Sequence, residues 1–145
     1  MLVSFSCTSS NSNNYPSDLD VGYFAKSELM SYEINVEIAK GQIKLDYENK
    51  QQNESLQETH TVGKKDLEKL YDLLKSVNFI SLKSPDKEML LDAPEEYLTA
   101  TYDRKTNKID LTSVKDIPEN IVKVRSGIID LVEKYDKQWK EKSGI

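Results

Sequence analysis

The chain has 145 residues, 37% of them hydrophobic and 31% charged, with a formal net charge of −5 and a single cysteine and histidine. That length suits one domain with a self-sufficient core, and one cysteine excludes an internal disulfide and a cysteine-based zinc site. Residues 1–60 carry four lysines against nine acids, whereas residues 61–145 carry sixteen bases against sixteen acids, so the whole excess is N-terminal. No basic stripe exists to neutralise phosphates, which argues against nucleic acid as a partner.

The N-terminus begins with a short apolar stub, Met1 to Ser6, followed by Cys7 and the polar tract Thr8-Ser9-Ser10-Asn11-Ser12-Asn13-Asn14. A small residue, Ser6, precedes the cysteine. This arrangement resembles the tail of a bacterial lipoprotein signal peptide, with Cys7 as the lipidated residue. The apolar core of ~7–15 residues that a secretory signal needs is missing before it, so a start codon upstream of Met1 is expected. The resemblance implies a cell-envelope protein held to the membrane through its lipid alone. The alternative is a cytoplasmic protein with an incidental thiol. Residues 1–20 are expected to be signal remnant and tether, and residues 21–145 a single domain. No apolar run approaches the ~18 residues of a spanning helix.

Strand patterning starts at residue 31. Tyr32, Ile34, Val36 and Ile38 alternate with polar residues, which predicts a strand with one buried face. Lys40-Gly41 reads as a tight turn with glycine at positive φ. Ile43, Leu45 and Tyr47 continue the alternation in a second strand, and Leu56 to Val62 form a weaker third. Gly63 then opens a helix with Leu67, Leu70, Tyr71, Leu74 and Val77 on one face, and Asn78 can end it in the left-handed conformation. Phe79, Ile80 and Leu82 return the chain to the core.

Residues 83–95 form a long connection bounded by Pro85 and Pro94. Tyr97–Tyr102 reads as a fourth strand, Asp103–Lys108 as a polar turn, and Ile109–Val114 as a fifth strand. Asp116 and Pro118 announce the last helix. Its stripe of Ile121, Val124, Ile128, Leu131 and Tyr135 is wide enough to pack across a sheet, and Gly127 beside it suggests a close helix–strand approach. The helix is expected to fray after Trp139. The order β-β-β-α-β-β-α predicts an α+β two-layer sandwich, a mainly antiparallel sheet with both helices on one face.

No catalytic constellation stands out. His60 has no motif partner along the chain, and a metal site built on it would need carboxylates for every other ligand, so no metal is expected. There is no nucleophile elbow, phosphate loop or dinucleotide fingerprint, so no cofactor is expected either. The neighbouring acids Asp86, Glu88, Asp92, Glu95 and Glu96 offer the only route to a carboxylate-dependent hydrolase. Met89, Leu90 and Leu91 are the residues singled out for partner binding: exposed, they would make a flexible apolar anchor. The reading favoured by the sequence, however, is that they fold back over the sheet edge and complete the core.

The hairpin, the helix ending in Phe79-Ile80, the proline-bounded loop, the Tyr102 to Ile109 hairpin and Pro118 opening the last helix resemble emfourin-type inhibitors of thermolysin-like metallopeptidases. They are also similar to small Bacteroidota lipoprotein domains of unknown function. The resemblance covers roughly residues 30–135 and implies peptidase inhibition as one outcome. The first hairpin holds one glycine, Gly41, where the inhibitors are glycine-rich, and no inhibitory residue is carried over. The expectation is a non-enzymatic, lipid-anchored envelope domain that binds a protein or peptide.

Overall fold

The structure is a computed structural model that describes residues 13–143, so Cys7 lies outside the described residues. Six strands form one antiparallel sheet: β1 (Asp20–Ser27), β2 (Tyr32–Ala39), β3 (Gln42–Asn49), β4 (Glu54–Thr61), β5 (Glu95–Tyr102) and β6 (Lys105–Asp110). Their spatial order is β4-β3-β2-β1-β5-β6. Three helices complete the fold: α1 (Lys64–Ser76), α2 (Glu119–Tyr135) and the short α3 (Lys137–Ser143).

The α+β sandwich expected from the alternation is what forms. Val21, Ile38, Ile43, Ala100, Leu98 and Ile109 lie opposite one another across successive strand pairs, on one face. All are buried in a single core with Leu67, Leu70 and Leu74 of α1 and Ile121, Val124 and Ile128 of α2. Among the described residues, no helix covers the other sheet face. It carries the N-terminal acid excess, with Glu33 directly opposite Glu48 and Asp46 beside them lining an open concavity of about 440 Å³. Like charges so opposed are mildly destabilising, which sets the surface character of that face.

The predicted strand count needs correction. β1 is a sixth strand and lies at the centre of the sheet, paired with β2 and β5. Its sequence hides the alternation, because Phe24 points to the open face and Gly22 interrupts the pattern. Phe24 is sheltered there by stacking on Tyr97, with ring centroids 5.9 Å apart. The packed chain also reaches back before residue 20: Leu19 is buried and Tyr15 lies against the core.

The last strand is shifted too. β6 begins at Lys105, because the β5–β6 turn is only two residues long. Asp103 and Arg104 both have positive φ, 52° and 64°, the geometry that matches the twist of paired strands. An arginine is unfavourable there. The Asp18 carboxylate offsets this by accepting the Asp103 and Arg104 amides at 3.1 and 2.8 Å. The Lys40-Gly41 turn, with φ of 52° and 75°, forms as expected.

Asn78 ends α1 in the left-handed conformation, and a 3₁₀ turn follows at Phe79–Ser81. α2 is entered at Pro118, two residues later than Asp116 suggested. Gly127 faces Leu73 of α1, not a strand: a Cβ there would stand 2.6 Å from Leu73 Cδ2. The missing side chain thus lets the two helices approach.

A polar clamp joins the same helices. Lys134 Nζ lies 2.9 Å from both oxygens of Asp66, and the Tyr135 hydroxyl donates to Asp66 Oδ2 at 2.6 Å. That hydroxyl in turn accepts the Gly63 amide at 2.8 Å. The hydrogen bonds from Tyr135 and then Lys134 hold the Asp66 carboxyl below the usual carboxylate range. A group so depressed contributes stability above its unfolded pKa, which disappears as pH falls through the folded value. Asp66→Asn is therefore expected to lower Tm at neutral pH and to flatten its further fall below about pH 4. Thermal melts of both proteins from neutral to strongly acidic pH test this; parallel curves would refute it.

Candidate functional site

The strand register places two loops at one end of the sheet. Ser27 pairs with Tyr32, so residues 28–31 form the β1–β2 turn at that end. Lys26 pairs with Glu95, so the connection entering β5 arrives at the same end. Within the β1–β2 turn the Met30 amide donates to Ser27 Oγ at 3.1 Å and the Ser31 amide to the Glu28 carbonyl at 3.3 Å. The backbone is thus satisfied locally, and Leu29 and Met30 project outward.

The β5 connection is pinned along β6 before it reaches that end. Asn107 Nδ2 donates to the carbonyls of Phe79 and Leu82, both at 2.8 Å. Ser84 Oγ accepts the Asp110 amide at 2.9 Å, and Lys87 pairs with the Asp110 carboxylate. Burial acts to raise the Asp110 pKa, but the hydrogen bonds from Lys87 and Thr112 outweigh it and hold the carboxyl below its ordinary value. The Glu88 amide then donates to the Ser113 carbonyl at 2.7 Å. The loop is consequently held on the sheet edge up to Glu88, and its apolar residues come next.

Those residues stand in solvent. Met89 and Leu91 are 103% and 96% exposed, and Leu90 is 48% exposed. They do not fold back to complete the core, which corrects the reading favoured by the sequence. Leu29 and Met30, 66% and 59% exposed, join them at the same end, and these five are the exposed large hydrophobic residues among those described. Nothing in the sequence singled out Leu29-Met30. The only available sign was an apolar pair inside a polar stretch, between Glu28 and Ser31.

The neighbouring acids do not converge on a reaction centre. Glu95 and Glu96 are consecutive on β5, so their side chains point to opposite faces. Glu96 is committed to structure. Its Oε2 accepts the Tyr23 hydroxyl at 2.8 Å and its Oε1 accepts Arg125 Nη1 at 2.8 Å. Burial, and then the Glu96 charge, push the Tyr23 phenol far above its ordinary pKa, so it stays a donor. Asp92 sits in the loop before β5, in the left-handed region at φ 58°.

His60 is different. Along the chain it has no partner, yet the fold sets its Nε2 3.0 Å from Asp136 Oδ2. Asp136 lies between α2 and α3, 76 residues away. Glu58 shares the helix-side face of β4 with His60 and completes a group whose ligand atoms all lie within 4.8 Å of one another. The sequence offered His60 no motif partner; the fold brings it two carboxylates. Compared with protein-family models and with curated proteins, the chain matches none of them.

Proposed function

We propose that this is a non-catalytic binding domain of the cell envelope, lipid-anchored through Cys7, that engages a protein or peptide with the apolar end of its sheet. The observation that carries the reading is the grouping of Leu29, Met30, Met89, Leu90 and Leu91 on two loops at one end. Large apolar side chains are expensive to leave in water, each fully buried one being worth roughly 1.5–3 kcal/mol. Grouped exposure of this kind marks interaction surfaces, and methionine and leucine adapt well to a partner's shape.

The anchor and the apolar end are compatible. The chain enters β1 at Asp20, which pairs with Ala39 and Thr101 beside the two-residue turns at the opposite end of the sheet. A tether attached there joins the domain at the end opposite the apolar loops and leaves them accessible to a partner. Pinning of the loop up to Glu88 also limits the ordering cost on binding.

The test compares the full chain with a Met89→Ser/Leu91→Ser variant, each immobilised through the C-terminus and exposed to detergent-solubilised envelope protein. The variant is expected to keep its Tm, because neither side chain is buried, and to lose at least about tenfold in partner retention, as for truncation of interface anchors. Equal retention by both proteins would overturn the proposal.

A further inference from the structure

We propose that Glu58, His60 and Asp136 bind a divalent transition-metal ion of the zinc class, linking edge strand β4 to the junction of α2 and α3. The site would be new, and it is independent of the apolar loops at the end of the sheet.

The three side chains come from two kinds of position. Glu58 and His60 are two residues apart on β4, so they project from the same face. Asp136 comes from the break between α2 and α3, where φ −139° and ψ 98° end the first helix. Its Oδ1 accepts the amides of Gln138 and Trp139 at 3.1 and 3.2 Å. Those two bonds fix the carboxylate plane and leave Oδ2 facing His60.

The distances suit an ion. Around a tetrahedral zinc with bonds of about 2.0–2.1 Å, neighbouring ligand atoms stand about 3.3 Å apart. The His60 Nε2 to Asp136 Oδ2 separation is 3.0 Å, so this pair needs to open by only a few tenths of an ångström, and the exposed Glu58 side chain is free to change rotamer and close on the ion. All three ligand atoms already fall within 4.8 Å of one another.

The electrostatics point the same way. Asp136 is only 7% exposed, and Glu58 brings a second carboxylate to it. Among the described residues Glu58 takes part in no other hydrogen bond or ion pair. Two carboxylates meeting at one imidazole favour a positive charge between them, which a bound divalent ion supplies more strongly than an imidazolium does. One nitrogen and two oxygens form a donor set that zinc accepts readily, whereas magnesium and calcium prefer oxygen alone. Glu58 is exposed and His60 half-buried, so the fourth position opens to solvent.

The experiment is calorimetric titration of chelator-treated full-length protein with zinc chloride, repeated with cobalt(II) to read ligand geometry from its visible absorption. One ion per chain is expected, with tetrahedral-type cobalt bands. Glu58→Gln and His60→Gln should each weaken zinc binding by about 100-fold, at the upper end of what even outer-shell changes cause. Both residues lie at the surface, so circular dichroism should show folded variants. Asp136→Asn provides a third check, because asparagine keeps the helix cap while removing the charge. Failure to bind one zinc per chain would overturn the proposal. So would binding that survives His60→Gln or is matched by magnesium, since either result would mean that scattered surface acids take the metal.

Discussion

Phe79→Ala is expected to lower the unfolding free energy by about 3–5 kcal/mol, the usual range for deleting a buried aromatic ring. Phe79 is completely buried and among the largest core side chains. It enters the core immediately after the left-handed Asn78, inside a 3₁₀ turn whose backbone is fixed on both sides. The Phe79 carbonyl accepts Asn107 Nδ2 from β6, and the Leu82 amide bonds back to the same carbonyl at 3.1 Å. The sheet beneath is a continuous six-stranded ladder, so the vacated space has little freedom to collapse. Urea denaturation should show a lower midpoint with an unchanged slope. Ile80→Ala is the internal comparison. Ile80 is only partly buried, and its loss should cost about half as much or less. Equal costs would mean that the turn, not the ring, is what holds this segment. Because residues 79–82 anchor the connection to Met89, amide exchange in residues 83–91 should also accelerate in Phe79→Ala.

The elements legible in the sequence are those with a clean period. β2 and β3 alternate strictly, since one face meets the core and the other meets water. α1 and α2 each show an apolar stripe bounded by a glycine, asparagine or proline signal. β1 escaped because it is central and carries an aromatic residue on its open face, where Tyr97 shelters Phe24. Its alternation is therefore apolar on both sides and reads as irregular. The start of the β5–β6 turn at Asp103 was legible, but its two-residue length was not, because that form depends on Asp18, 85 residues before Asp103. Local composition does not encode a cap supplied from the far end of the chain.

The candidate sites divide in the same way. Met89, Leu90 and Leu91 were visible as an apolar triplet inside a charged, proline-bounded loop. Whether they faced the core or the solvent was not, because that depends on the Asn107, Ser84 and Lys87 contacts to the preceding segment. Leu29-Met30 becomes meaningful only once strand register brings the two loops to one end. His60 gave no signal at all, since its carboxylate partner arrives from the last helix junction. The tertiary contacts that define both surfaces are long-range, and sequence periodicity reports only short-range ones.

Trp139→Ala should destabilise the protein by a similar amount, about 3–5 kcal/mol, although the sequence suggests fraying immediately after this residue. Asp136 is where the chain changes direction. α2 ends there, and the aspartate carboxylate caps a new helix through the Gln138 and Trp139 amides. That change of direction turns α3 back onto the fold, and Trp139 becomes 1% exposed. An indole is the largest apolar load a single residue can bring to a core. A seven-residue helix has little stability of its own, so α3 is held by this side chain and by its cap. Trp139→Phe should recover much of the loss, because most of the apolar volume returns. As the only tryptophan in the chain, Trp139 also reports on itself. Its emission should be blue-shifted in the native protein and should move red in step with unfolding followed by circular dichroism. A red shift that precedes global unfolding would show that α3 detaches as a separate unit. In that case Trp139→Ala would cost little, and Asp136 would lose the cap that aims it at His60.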